Sequence, residues 1–148
     1  MNPHSRILVF IPAYRCKEQI KRVIAQIEPR VQAAIDTVMI IDNQSSDDTV
    51  DVAIDCGKSM LTQCNFIVLR NNSNYGLGGS HKAAFCYAIE QGFDYLIVLH
   101  GDDQADIRDL VPLLAAGKHL NYDCLLGARF MLGSKLRGYS WLRTFGNI

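Results

Sequence analysis

The sequence has no excess of either charge: Lys plus Arg and Asp plus Glu both number 15. That balance excludes the basic footprint by which nucleic-acid binders hold phosphate backbones, so no nucleic-acid partner is expected. It also lacks a long apolar run. Ile7 to Ile11 breaks at Pro12 and falls far short of a membrane span or a signal-peptide core, so a soluble, cytoplasmic chain is expected. No Cys-X-X-Cys pair occurs, and the five cysteines, Cys16, Cys56, Cys64, Cys86 and Cys124, are odd in number and widely spaced. Zinc-site and disulfide-framework readings are disfavoured, leaving reduced cysteines expected in the core. Gly76-Leu77-Gly78-Gly79 fails the dinucleotide fingerprint, because His81 stands where its third glycine belongs, and it is not a Walker A loop. No serine or cysteine nucleophile motif is present.

What remains is a chain of 148 residues, 49% of them hydrophobic, enough for one domain with a sizeable core. Continuous apolar runs predict strands buried on both faces at residues 7–11, 37–41, 66–69 and 95–99. Between them, apolar residues at helical spacing predict helices over 17–27, 50–56 and 80–90, with a polar loop at 71–79. A short helix around Pro112 and a fifth strand at 124–126 complete the pattern. Alternating βα units imply an α/β fold, three-layer αβα with a mostly parallel sheet.

Ligands of such sheets bind beyond the carboxyl ends of the strands. The polar residues gather there: Pro12-Ala13-Tyr14, Asp42-Asn43, Asn74 to Gly79, His100 to Gln104, and Arg129 after the fifth strand. On extended backbone His100, Asp102 and Gln104 share one face, a sparse set of ligands for magnesium or manganese completed by a diphosphate. Asp102 and Asp103 serve equally to cap the helix beginning near Ile107. Asp42 offers an acceptor for a base N–H or a ribose hydroxyl and Asn43 adds a donor, although Asp42 also suits a turn. The glycines from Gly76 onward would let backbone amides approach phosphates. Lys82 and Arg129 would neutralise a diphosphate or stand as solvated surface charges. His4, His81 and His119 have no ligand spacing and are set aside as structural or exposed.

Taken in order, Ile11-Pro12-Ala13-Tyr14, Ile41-Asp42-Asn43-Gln44-Ser45-Ser46-Asp47-Asp48-Thr49, Asn74-Tyr75-Gly76-Leu77-Gly78-Gly79 and Leu99-His100-Gly101-Asp102-Asp103-Gln104 resemble the family 2 glycosyltransferases of GT-A fold. Gln104 and Gly127-Ala128-Arg129-Phe130 are most similar to the branch of dolichol-phosphate mannose synthase and the polyprenyl-phosphate sugar synthases. The resemblance implies transfer of a sugar from a UDP- or GDP-linked donor to an acceptor, with inversion and with a lipid phosphate as one acceptor class. It implies that Pro12, Ala13, Tyr14 and Asp42 contact the nucleotide, that Asp102 and Gln104 hold the metal, and that Arg129 meets a phosphate. For a hydroxyl acceptor, which would want a carboxylate base, Asp103 is a candidate. Three positions depart from the family pattern. His100-Gly101-Asp102 replaces Asp-X-Asp, Arg15-Cys16 replaces Asn-Glu, and Asn43 replaces a second aspartate. The alternatives are transfer to a polysaccharide or protein hydroxyl, and a non-catalytic nucleotide-sugar-binding module. The resemblance further implies that residues 1–148 are an amino-terminal part whose partner half carries much of the acceptor site. The basic, aromatic stretch of residues 129–148 suits an acceptor or a contact at the cytoplasmic face of a membrane.

Overall fold

The computed structural model describes residues 5–127, and the chain divides into two units with the boundary in sequence between Ala116 and Gly117. The first unit carries strands β1 (Ile7–Ala13), β2 (Thr37–Asp42), β3 (Asn65–Arg70) and β4 (Tyr95–Val98). Its helices are α1 (Lys17–Ala25), α2 (Pro29–Gln32), α3 (Thr49–Met60), α4 (Gly76–Glu90) and α5 (Val111–Ala115), the last preceded by a 3-10 turn at Ile107–Leu110. Of the second unit, the described residues form a 3-10 turn, Lys118–Asn121, after Gly117, whose φ of 63° is left-handed.

The four strands make one parallel sheet in the order β3-β2-β1-β4. Strand β1 is central and buried along its whole length, which is why its sequence is apolar at every position instead of alternating. Alternate side chains serve opposite faces. Val9, Ile11, Val38 and Ile40 pack with Ile20, Val23 and Ile24 of α1 and Ala53 of α3, while Leu8, Phe10, Met39 and Ile41 pack with Ala84 and Ala88 of α4. The result is the expected three-layer α/β architecture, with α1 and α3 on one face and α4 on the other.

Several boundaries differ from the sequence reading, each for a local reason. Strand β1 runs on through Pro12 to Ala13, pairing with Ile41 and Asp42. The Pro12 carbonyl accepts from Gly101 N at 3.2 Å on the β4 side, so the N–H that proline lacks falls where pairing with β4 has already stopped at Phe10. Helix α1 ends at Ala25, and Gln26 and Ile27 close with tighter 3-10 bonds before Pro29 opens α2. Helix α4 begins at Gly76, so the glycines expected in a loop form its first turn. No strand forms at 124–126, where Leu126 is 85% exposed. Cys16 is buried, but Cys86 and Cys124 are exposed and not core residues; all five cysteines are free.

Two features fix the orientation of the loops. Among the described residues, three that are not glycine hold left-handed backbone, Arg15 (φ 50°), Gln44 (φ 63°) and Asp103 (φ 62°), all in the connections that follow β1, β2 and β4. Ile107 is buried in the α1 side of the core, and its amide donates to Gln26 Oε1 at 3.3 Å, so the chain after β4 is fastened back to α1. Among the described residues no helix is long and apolar enough to cross a membrane.

Candidate active site

The chain order β1, β2, β3 proceeds outward on one side of the central strand, and β4 then pairs with its other side. That reversal creates a crevice at the carboxyl ends of β1 and β4, where ligands of open α/β sheets bind. A shallow cleft of about 280 Å³ opens at this end of the sheet. Pro12, Ala13 and Tyr14 form one wall, Asn43 and Asn74 the next, and Gly76, Leu77 and Ser80 the start of α4. Five residues singled out in the sequence, Pro12, Ala13, Tyr14, Asn43 and Gly76, are thus brought together.

The wall after β1 is laced to the loop after β2. Arg15 N donates to Ser45 Oγ at 2.8 Å and Cys16 N to Thr49 Oγ1 at 3.0 Å. Asp47 in turn accepts from the Thr49 hydroxyl at 2.6 Å. Burial opposes its ionisation, but bonds from the Thr49 side chain and backbone bring its carboxyl below the ordinary value. Asp42 is turned inward, with its side chain 1% exposed. It accepts from Ser45 N at 3.1 Å and pairs with Arg70 Nε at 3.2 Å, while Arg70 Nη2 donates to the Ser45 carbonyl at 2.9 Å. Arg70 escaped the sequence reading. It faces Asp42 because the two are register partners across β2 and β3, a relation no linear motif displays.

An asparagine network joins β2 to α4. Asn43 Oδ1 accepts from Asn71 Nδ2 at 2.9 Å and from Tyr75 N at 3.0 Å, and Asn43 Nδ2 donates to Asn74 Oδ1 at 2.8 Å. Asn74 Oδ1 also accepts from Gly76 N at 3.0 Å, and Asn71 Nδ2 reaches the buried Ser80 Oγ at 3.0 Å. Asn43 is therefore the hub that orients the first turn of α4. A helix leaves its first amides without internal partners and carries partial positive charge at that end, which together favour an anion. Gly78 is open, with nothing within 4 Å of where a Cβ would stand.

The loop after β4 departs from the extended backbone expected of it. Residues 101–103 turn, so His100, Asp102 and Gln104 do not share one face by strand alternation. Gly101 sits so close to the end of β1 that a Cβ would lie 2.9 Å from the Pro12 carbonyl oxygen. Asp102 is exposed, and its Oδ1 accepts from Gln104 N at 3.2 Å, a small Asx turn that leaves Oδ2 for a ligand. The Asp103 carboxylate is held to α1, by Arg22 Nε on Oδ2 and by Gln26 Nε2 on Oδ1 at 2.9 Å, and so braces the loop. Asp106, and not Asp102 or Asp103, caps the following turn, accepting from Arg108 N at 3.0 Å. Lys82 is exposed on α4 and does not line the cleft. Arg129 lies outside the described residues.

A family model described as glycosyl transferase family 2 matches residues 8–147. The chain belongs to family 2 of the glycosyltransferases. Among curated proteins, this family 2 chain is 25% identical over 146 residues to polyprenol monophosphomannose synthase of Mycolicibacterium smegmatis, covering 97% of this chain and 52% of the relative. It is 28% identical over 131 residues to undecaprenyl-phosphate mannosyltransferase of Micrococcus luteus, covering 88% of this chain and 51% of the relative. The chain spans about half the length of these curated relatives. Its fold is similar to that of a mannosyltransferase from Pyrobaculum calidifontis solved in complex with GDP-Man and Mn2+, with TM-score 0.58 and 14% identity over 68% of this chain and 28% of that one. The fold is that of the GT-A glycosyltransferases.

Within this family 2 site, no group of three His, Cys, Asp or Glu side chains converges among the described residues. The loop after β4 still fits a divalent ion of the kind that keeps waters and takes phosphate oxygens, because such an ion needs only one or two protein carboxylates and Asp102 presents one. An imidazole follows from a residue that sequence reasoning discarded. His81 of α4 and His100 lie with ring centroids 6.0 Å apart. Spacing along the chain hides this pair, since His81 lies within α4 and His100 in the loop after β4, and only the crossover from β3 to β4 brings them together.

Proposed function

We propose that this chain forms the nucleotide-sugar-binding half of a metal-dependent glycosyltransferase that moves a sugar from a nucleoside diphosphate to a polyprenyl phosphate. The observation that carries the reading is the cleft beyond the carboxyl ends of β1 and β2, bounded by Tyr14, the Asn43 hub and the first turn of α4. The family match over residues 8–147 and the names of the two curated relatives support it.

In this reading the nucleoside lies along Pro12, Ala13 and Tyr14, and the Asp42–Arg70 pair fixes the shape of the loop beneath it. The diphosphate approaches the amide end of α4, where the open space at Gly78 admits a backbone-to-phosphate contact. Asp102, with His100 and Gln104, would hold the divalent ion, magnesium or manganese. Once held there, the ion would supply Lewis-acid stabilisation to the departing diphosphate. The anomeric carbon loses its bond to the diphosphate oxygen and gains one to the acceptor oxygen on the opposite face, inverting its configuration. A phosphate oxyanion is already a nucleophile and needs no proton removed, whereas a hydroxyl would need a general base. The engagement of Asp103 by Arg22 and Gln26 favours the phosphate acceptor on that ground.

Calorimetric titration of the chain with GDP, UDP and their mannose and glucose conjugates, with and without Mn2+, tests the donor site. Binding that requires the metal and disappears in Asp102→Ala is expected. Metal-independent binding, or binding that survives Asp102→Ala, would remove the assigned metal site.

A further inference from the structure

We infer that Gln26 is a positioning residue for the donor cleft: its carboxamide sets the loop after β4 and acts on the cleft through Gly101 and Pro12. The inference rests on the proposed donor reading and names a residue at the end of α1, outside both the cleft and the loop.

Three contacts converge on two side chains. Arg22 Nε donates to Asp103 Oδ2, Gln26 Nε2 donates to Asp103 Oδ1 at 2.9 Å, and Ile107 N donates to Gln26 Oε1 at 3.3 Å. A carboxylate only accepts and a backbone N–H only donates, so a single orientation of the carboxamide satisfies both of its neighbours. Gln26 thus ties two points of the loop, Asp103 and Ile107, to the end of α1. Arg22 and Gln26 stand one helical turn apart, which puts both donors on the face that meets Asp103. Glutamate in place of Gln26 would have no donor for Asp103, and leucine would have neither group. The backbone of Asp103 is left-handed, with φ 62°, a conformation disfavoured for a residue with a side chain and sustained here by the two donors on its carboxylate.

The effect reaches the cleft over two residues. Gly101 is buried against the end of β1, where its amide donates to the Pro12 carbonyl oxygen at 3.2 Å and its Cβ position lies 3.6 Å from Ala13 Cα. Pro12 and Ala13 line the cleft. A loop released at Asp103 therefore shifts against the wall on which the nucleoside is placed, and a misplacement of about 1 Å is enough to cost about 100-fold in rate.

Exchanging donors for acceptors tests the tie. Gln26→Glu leaves the Ile107 amide its acceptor but sets one carboxylate against another. Asp103→Asn leaves one of the three contacts mismatched whichever way the two carboxamides turn. Combined, the two substitutions match all three again, since the new amide donates to the new carboxylate while its oxygen accepts from Arg22. A side chain that only fills space would show no such recovery. Two readouts are taken on the whole chain: hydrogen exchange of the Gly101 amide without nucleotide, and calorimetric titration with GDP and with UDP in Mn2+. Each single variant should speed Gly101 exchange about tenfold and weaken nucleotide binding about tenfold, and the double variant should return both to within about threefold of the parent. Gly101 exchange unchanged in both single variants, or a double variant no better than the worse single one, would overturn the inference. Faster exchange with undiminished affinity would overturn it as well and leave the donor reading standing. A parent chain that binds neither nucleotide would remove the donor reading, and this role with it, before any variant is made.

Discussion

Replacing Gly101 with alanine tests whether the loop after β4 is seated by direct contact with the central strand. The new Cβ would lie 2.9 Å from the Pro12 carbonyl oxygen and 3.3 Å from Cys16 Sγ. The nearer neighbour is backbone in the middle of the sheet and cannot swing aside, so the loop has to move. Gly101 is not in the left-handed region, so alanine meets no conformational penalty there. Given room, the substitution would stabilise the protein by about 0.4–1 kcal/mol through the unfolded chain. Forcing an extra methyl into a packed site costs about 1–3 kcal/mol. The balance is a loss of about 1–2 kcal/mol, or about 2–8 °C in Tm for a chain of this size. Thermal unfolding followed by circular dichroism measures it. Because Asp102 is the next residue, displacement of the loop should also weaken metal-dependent nucleotide binding by at least about tenfold. A Tm that is unchanged or raised would refute the seating argument. A lowered Tm with undiminished nucleotide affinity would detach this loop from the site.

Arg70→Met should leave the buried Asp42 carboxylate without its cation and cost about 2 kcal/mol, less than a fully buried pair because Arg70 is half-exposed. Chemical denaturation reads this directly, and Asp42→Asn combined with Arg70→Met should recover part of the loss. Ala84→Leu should destabilise by about 1–3 kcal/mol, since Ala84 is fully buried where α4 meets Leu8, Phe10 and Met39, and a Tm within 1 °C of the parent, on the order of the error of the method, would contradict that packing. Hydrogen bonds from Arg108 hold the Asp106 carboxyl below the ordinary carboxylate range, with burial opposing them. Its stabilisation is therefore complete above the unfolded value of about 3.9 and is lost as pH falls through the lower folded value. Asp106→Asn should lower Tm near neutral pH and converge with the parent toward about pH 2, and a constant gap across that range would exclude the linkage.

The strands were legible because a parallel sheet covered on both faces demands uninterrupted apolar runs, and Ile7 to Ile11 and Thr37 to Ile41 supply them. Their ends were less legible. Pro12 reads as a stop only if its missing N–H is assumed to face a paired neighbour, and here it faces the side where the ladder has ended. The start of α4 was misjudged because glycines weaken a helix in isolation, whereas Asn43 and Asn74 hold the Tyr75 and Gly76 amides in place from outside it. Residues at this end of the sheet were legible where one loop carries the pattern and hidden where two elements share it. Tyr14 and Asn43 belong to the first kind. Arg70 and His81 belong to the second, since their partners are defined by register and by crossover. The shared face of His100, Asp102 and Gln104 was misread because alternation applies to extended backbone, and the φ of 62° at Asp103 belongs to a turn.

The three left-handed residues at Arg15, Gln44 and Asp103 bear on how such a protein can change over time. Each holds a conformation that costs an ordinary side chain roughly 1–2 kcal/mol, and each lies in a connection after a strand at the carboxyl end of the sheet. Glycine at any of them would relieve that penalty and loosen the loop in the same step. Substitutions that improve thermal endurance and substitutions that broaden ligand choice therefore fall on the same few codons, and selection for a hardier scaffold will tend to erode the discrimination that these loops provide.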